Sequence, residues 1–248
     1  MPNQQLVDVL RAHLRRKLNQ PDEAAWVLVN DALREIEPVL RDRDVVDLPG
    51  LISLVEDADL DVKTRSTVCW ILGRVGVRSA TTALVRVATA RPVELRIAAI
   101  RALGELGGTN TFGVLAAAAV ADPAPEVRYA AVYSLQEFDS PQSADLLTAK
   151  LEDPDERPSI RGQAAESLAS LAAGKQAVPA LRAALADPSA EVRLWCAYAL
   201  GFLGTSAVVN DLRRLVNDTA VAGSFGRVGE EARKAIEDIR RRVLSGAD

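Results

Sequence analysis

The chain has 248 residues, of which 48% are hydrophobic and 26% charged, a composition typical of folded proteins. Its ten aromatic residues (three Trp, three Tyr and four Phe) predict a core built from aliphatic side chains. The net charge of −4 argues against general affinity for nucleic acid or for an anionic membrane. Because the sequence has neither a membrane-length apolar run nor a signal-peptide pattern, we expect a cytoplasmic protein that does not bind membranes.

Residues 1–47 are predicted to form a two-helix N-terminal cap, because the end of a helical stack needs a polar outer face. The second helical stretch of this cap runs from residue 22 to about residue 39. The basic residues of the first stretch could instead meet an acidic partner, and the sequence leaves this open. The first stretch also holds His13, and it is marked by leucines every four residues, at Leu6, Leu10, Leu14 and Leu18.

From residue 48 onward the sequence repeats. Six stretches align with first residues 31, 32, 33, 32 and 36 positions apart, a period suited to two short helices with their turns. Small or aliphatic residues at positions 1, 5, 6, 8, 9 and 12 of each stretch form a helical stripe. We therefore predict an all-α, right-handed α-solenoid of about six helix pairs, with residues 48–248 as one continuous domain. The six stretches are TRSTVCWILGRVG from Thr64, LRIAAIRALGELG from Leu95, VRYAAVYSLQEFD from Val127, IRGQAAESLASLA from Ile160, VRLWCAYALGFLG from Val192 and VGEEARKAIEDIR from Val228.

The best-formed repeat, residues 187–204, reads D-P-x-x-E-V-R-x-x-A-A-x-A-L-G-x-L-G with one departure. This pattern resembles HEAT repeats of the short class that is also seen in phycobilisome-lyase-like proteins. The resemblance covers roughly residues 48–243 and implies an armadillo-like helical scaffold. Its motif is specific for the fold and says little about function.

Arginine occupies position 2 in five of the six stretches, and aspartate stands five positions before position 1 in four of them. The HEAT resemblance implies that these residues form a structural ladder that joins neighbouring repeats across the turns. The alternative is a stripe that follows phosphates, but most of the arginines have an acid close by, which favours the ladder. The ladder residues are Arg65, Arg96, Arg128, Arg161 and Arg193 with Asp59, Asp122, Asp155 and Asp187.

The sequence offers no catalytic set, metal site or cofactor site, so a protein that is not an enzyme is favoured. His13 stands alone, without a Cys or Asp partner at ligand spacing. Cys69 and Cys196 fall at packed positions four repeats apart, too far for a disulfide, and are predicted to be buried free thiols. The acids around Asp153 lie on a Pro-bounded turn and are interpreted as helix caps.

Positions 3, 4, 7 and 11 of the stretches share one helix face, and the HEAT resemblance implies that this face lines the concave side. Six of the ten aromatic residues fall there, and Tyr and Trp are common anchors of interfaces. The alternative is that the rings only pack over neighbouring helices. The predicted partner-binding residues are Trp70, Tyr129, Tyr133, Glu137, Glu166, Trp195, Tyr198 and Phe202.

The fourth stretch has only small or polar residues on this face, whereas the third and fifth carry rings. This contrast predicts a notch above Glu166 that receives an apolar anchor of a partner with a Lys or Arg beside it. Alternatively, the flanking rings fill the notch themselves. The small or polar residues of the fourth stretch are Gly162, Gln163, Glu166 and Ser170.

These observations predict a monomeric, non-catalytic scaffold or adaptor that binds a segment of another protein in an aromatic-lined groove. A bilin lyase or isomerase subunit, or an assembly factor for a chromophore protein, is the alternative that the family resemblance implies. A HEAT-like DNA-binding protein is disfavoured, since the variable face carries three positive charges against six negative ones.

Overall fold

The computed structural model describes residues 48–245. The predicted N-terminal cap, residues 1–47, and its His13 lie outside these residues. Helices dominate the described part, in which the β-type pairing is a single bridge between Val221 and Arg227. The helices are α1 Leu48–Glu56, α2 Val62–Val75, α3 Thr81–Val87, α4 Val93–Leu106, α5 Thr109–Ala121, α6 Pro125–Ser134, α7 Pro141–Glu152, α8 Pro158–Ala169, α9 Val178–Ala183, α10 Ala190–Leu203, α11 Val209–Arg213 and α12 Val228–Ser245.

The twelve helices of the described residues form six consecutive pairs, so the predicted all-α solenoid of about six helix pairs is confirmed. The chain divides into two compact units after residue 118. In the first unit, α2 packs against α1 and α4, and α3 packs against α1 and α4. In the second unit, α8 packs against α6, α7 and α10, and α12 packs against α10 and α11. Second helices of successive pairs therefore lie side by side within each unit. The right-handed sense of the stack and its continuity as one domain stay predictions.

The helices begin and end at residues whose chemistry favours a boundary. At the start of α2 the Asp61 carboxylate accepts hydrogen bonds from the backbone N–H of Thr64, at 2.9 Å, and from its hydroxyl, at 2.6 Å. This helix ends at Gly76, whose φ of 77° is readily adopted by glycine. Proline occupies the first turn of α6, α7 and α8, where its missing N–H costs no helical hydrogen bond.

The core is aliphatic, as the composition predicts. Position 9 of the repeat is completely buried in the first five pairs. Glycine allows the second helices to approach closely: a Cβ on Gly201 would lie 3.2 Å from Cα of Ala235, on the neighbouring α12. The position 9 residues of the first five pairs are Leu72, Leu103, Leu135, Leu168 and Leu200.

Both cysteines are buried free thiols, one in each unit, as predicted. Burial raises the pKa of the Cys69 thiol to about 12 and strongly raises the pKa of Cys196. We expect a thiol reagent to find two thiols per denatured, unreduced monomer and to react far more slowly with the native chain, because the reactive thiolate is disfavoured. Detection of neither thiol in the denatured monomer would contradict this assignment.

Candidate partner-binding surface

The position 2 arginines of α6, α8 and α10 each form an ion pair with a carboxylate in the turn of the following helix pair. Both side chains of every pair are mostly buried, so water screens these ion pairs less than it screens ion pairs on the surface. The closest N–O distances are 2.8 Å for the first pair and 2.9 Å for the third. In order, the pairs are Arg128–Glu156, Arg161–Asp187 and Arg193–Asp218.

Four of the five position 2 arginines also donate hydrogen bonds to backbone carbonyl oxygens that precede their own second helix. Nη1 of Arg128 donates to the carbonyl oxygen of Asp122 at 2.9 Å, and Nη1 of Arg193 donates to that of Asp187 at 2.7 Å. In the first unit, Nη1 of Arg96 donates to two turn carbonyls at 3.0 Å, and Nε of Arg65 donates to Val55 at 2.9 Å. Because these guanidinium N–H groups already have acceptors within the protein, the arrangement favours a structural ladder over a row of phosphate-binding arginines.

The acid that pairs with Arg128 is Glu156, and the structure does not give this role to the predicted Asp155, which is exposed. The turn aspartate of this repeat is Asp153, whose Oδ1 accepts from the N–H of Asp155 at 3.0 Å. The same Asx turn recurs at Asp57, Asp122, Asp187 and Asp218, each accepting from the residue two positions on.

The distance from the turn aspartate to position 1 explains this difference. It is five residues from Asp122 to Val127 but seven from Asp153 to Ile160 and from Asp57 to Thr64. A fixed offset of five therefore selects Asp155 and Asp59 where the turn is longer. It also misses Asp218, because the last repeat has an insertion before α12.

The Glu156 carboxylate is buried among cations. Two hydrogen bonds from Arg128, both 2.8 Å, hold the pKa of Glu156 down to about 2 despite its burial. The N–H of Arg157 donates to it at 3.0 Å, and Nζ of Lys150 lies 3.4 Å from Oε2. A carboxylate with this many donors has a structural role and is poorly suited to proton transfer near neutral pH.

On the variable helix face, positions 3 and 4 are mostly covered and positions 7 and 11 mostly reach solvent. In the second unit, Tyr129 and Tyr198 are half-buried, whereas Tyr133 and Phe202 are exposed. In the first unit, Trp70 is half-buried on α2. The predicted site residues of the second unit therefore lie on the neighbouring helices α6, α8 and α10 and on the short 3₁₀ turn after α6.

Four aromatic rings make a continuous cluster on this face. The ring centroids of Trp195 lie 5.4 Å from Tyr198 and 5.0 Å from Phe225, in edge-to-face geometry. Tyr198 in turn lies 4.8 Å from Phe202, and Nζ of Lys234 stands 5.7 Å from the centre of the Tyr198 ring. Phe225 was not among the predicted residues, because it comes from the insertion before α12, outside the repeat pattern.

The predicted notch is filled at its inner end. A Cβ on Gly162 would lie 2.9 Å from Cδ1 of Trp195, so the indole packs directly on the glycine backbone. Gln163 is buried as well. At the inner end of the notch the alternative prediction is therefore correct, because the ring of Trp195, from the fifth pair, fills the space that Gly162 leaves. Further out, Glu166 remains half-exposed and Ser170 exposed.

We name the outer part of this face the aromatic surface; it comprises Tyr133, Glu137, Glu166, Tyr198, Phe202 and Phe225. One of its two acids, Glu166, is partly withdrawn from water: burial raises the pKa of Glu166, an effect that the Gln163 hydrogen bond opposes. Burial raises the pKa of nearby Glu191 too. A cation brought by a partner would stabilise these carboxylates in their ionised form.

The described residues 48–245 contain no group of three or more His, Cys, Asp or Glu placed to hold a metal ion. Among their helices, none combines the length and the apolarity that a membrane crossing requires.

The stacked helix pairs, the arginine ladder and the turn aspartates define a helical-repeat scaffold. HEAT repeats match the sequence in four overlapping stretches, residues 48–135, 82–158, 112–176 and 151–224. These stretches together cover more than half of the chain, which therefore belongs to the HEAT-repeat family. No curated protein is similar enough in sequence to count as a relative.

Several solved structures share the fold at low sequence identity. YibA of Escherichia coli is 20% identical with a TM-score of 0.61, over 92% of this chain and 80% of YibA. The complex of CpcE and CpcF of phycocyanin lyase from Nostoc sp. is 23% identical with a TM-score of 0.54, over 79% of this chain and 78% of that chain. The Cnd3–Cnd2 subcomplex of S. pombe condensin is 19% identical with a TM-score of 0.62, over 96% of this chain and 34% of that chain. At these identities the likeness shows the fold alone.

Proposed function

We propose that the protein is a non-catalytic scaffold that binds a segment of another protein on the aromatic surface of its second unit. The observation that carries this proposal is the exposure of its rings: Tyr133 is 44% exposed, Phe202 51% and Phe225 53%. Clustered large rings that are left in contact with water are typical of protein interfaces. The partner-binding role of Trp70, in the first unit, stays a separate prediction.

The charges of the aromatic surface indicate what the partner segment carries. Two of its residues are acidic, the exposed Glu137 and the half-buried Glu166, and a cationic hydrogen-bond donor would stabilise the Glu166 carboxylate. Tyr198 already has Lys234 over its ring, which shows that a cation fits beside these rings. We expect an apolar anchor between Tyr133 and Phe202 with a Lys or Arg next to it.

A photo-crosslinking residue in place of Phe202 tests the proposal, with the same residue in place of Val120 as control. Val120 is also strongly exposed but lies on α5, a helix that contributes no residue to the aromatic surface. The segment crosslinked at position 202 in an extract of the source cells would then be synthesised and titrated. Tyr133→Ala with Phe202→Ala is expected to weaken its binding at least tenfold, because a hot-spot ring contributes about 2 kcal/mol or more.

The titration also separates binding from packing. Trp195 is left intact, because it packs on Gly162 and its loss would disturb the fold. Replacing the Lys or Arg of the segment by an uncharged residue should weaken binding, and added salt should reduce the difference. Equal affinities for the wild-type chain and the double variant would show that the rings serve packing only.

The alternative is that the protein is a bilin lyase or isomerase subunit or an assembly factor for a chromophore protein. Its support is the fold shared with the CpcE and CpcF complex of phycocyanin lyase. Mixing the purified protein with a free bilin distinguishes the two functions, because binding of the chromophore changes its visible absorption spectrum. An unchanged spectrum at high protein concentration would remove the alternative.

A further inference from the structure

A groove of about 490 Å³ lies between α11 and the last two turns of α12. It is separate in sequence from the aromatic surface and plays no part in the proposed function. Half of its eight lining residues are aliphatic, and they come from both helices. The lining residues are Ser206, Val209, Asn210 and Arg213 from the α11 side and Ile239, Arg240, Val243 and Leu244 from α12.

The apolar wall of the groove is both exposed and fixed. Leu244 is 88% exposed and Val243 46%. They stand on α12, which has 18 residues against 14 in α10. Nη2 of Arg242 donates to the carbonyl oxygen of Gly204 at 2.6 Å, which ties this end of α12 to the end of α10. The aliphatic side chains are therefore presented to solvent on an ordered helix, where covering them would be favourable.

The groove is positively charged. Arg213 and Arg240 are its only charged lining residues, and neither has an ion-pair partner among the residues that the structure describes. Arg213 donates from Nη1 to the neutral side chain of Asn210 at 2.8 Å. The arginines that follow each of them in the sequence do lie near acids, at 3.5 Å in both cases. Those outer pairs are Arg214–Asp211 and Arg241–Asp238.

We propose that this groove binds an amphipathic helix of a partner protein, with the apolar side of that helix on Val243 and Leu244. Carboxylates flanking its apolar side would pair with Arg213 and Arg240. A helix laid between two helices suits a groove with apolar walls on both sides. A second copy of the chain is a poor occupant for a symmetric contact, since each copy would bring the same two unpaired arginines to the other.

The test uses two fluorescent peptides of about five helical turns with leucines at helical spacing. Glutamates flank the leucines in one peptide and lysines in the other. The full-length chain is expected to bind the glutamate peptide about tenfold more tightly, and Arg213→Glu with Arg240→Glu should reverse this order. The matched control, Arg214→Glu with Arg241→Glu, carries the same change of charge outside the groove and should keep the original order.

Removing the apolar wall gives an independent readout. Leu244→Ala is expected to weaken the glutamate peptide about tenfold, whereas Val221→Ala, which shortens an exposed side chain outside the groove, should not. Circular dichroism melts confirm that each variant is folded. Equal binding of the two peptides, or binding of neither, would overturn the proposal. Self-association of the wild-type chain that Leu244→Ala abolishes would also overturn it, because the occupant would then be a second copy.

Discussion

Replacing Glu156 by glutamine is expected to lower the free energy of unfolding by about 3 kcal/mol at pH 7. The pKa of Glu156 is about 2 in the folded chain against an ordinary value of 4.5, so its ionised form is favoured by folding. Glutamine keeps the shape of the side chain but leaves the charge of Arg128 without its buried counter-ion. Urea denaturation followed by circular dichroism at pH 7 measures the loss.

The pH dependence checks the cause of this loss. Because the pKa is depressed, the contribution of Glu156 is complete above about pH 4.5 and disappears as the pH falls towards 2. The Glu156→Gln variant should therefore lose less stability than the wild-type chain over that interval. Asp155→Asn is the matched control, since Asp155 is adjacent and exposed and should change stability by less than about 0.5 kcal/mol. A larger effect from Asp155 than from Glu156 would contradict the assignment of this ion pair.

Shortening a position 9 leucine should also be costly. Leu135→Ala and Leu200→Ala are each expected to lower the free energy of unfolding by about 2–5 kcal/mol, because both side chains are completely buried. The loss combines the removed apolar contacts with the cavity that remains between the neighbouring second helices. Denaturant unfolding of each variant gives the change in midpoint.

The control for these leucines is Leu244→Ala, which removes the same atoms from a side chain that is almost fully exposed. It should shift the unfolding midpoint little. If Leu244→Ala lowered the free energy of unfolding as much as the variants of the buried leucines, position 9 would not be the centre of the stacked core. A midpoint that does not move for Leu200→Ala would lead to the same conclusion.

The repeat pattern was sufficient to predict which helix positions are buried. Position 9 is apolar in all six stretches, and it is buried from Leu72 to Ile236. This works because each layer packs against its neighbour with the same stripe, so burial follows the period of the sequence. The position 2 arginines were also identifiable, since each repeats at the start of a second helix.

Features that depend on the length of a turn or on two layers at once were harder to predict. The pairing of Arg128 with Glu156 depends on two additional residues in one turn, which counting at a fixed offset cannot take into account. The packing of Trp195 on Gly162 depends on the distance between α8 and α10, which the sequence of neither helix specifies. Phe225 joins the rings from an insertion, where no repeat pattern gives its position.

The ladder has a consequence for how such a chain can change its length during evolution. In the second unit, each ion pair joins the arginine of one repeat to the turn acid of the next, and the acids Asp187 and Asp218 also shape their own turns. If a whole repeat were deleted or duplicated, the arginine before the junction would meet a turn of the same design. Insertion or loss of complete repeats thus preserves the joints, and gene segments of one period are natural units of growth for this array.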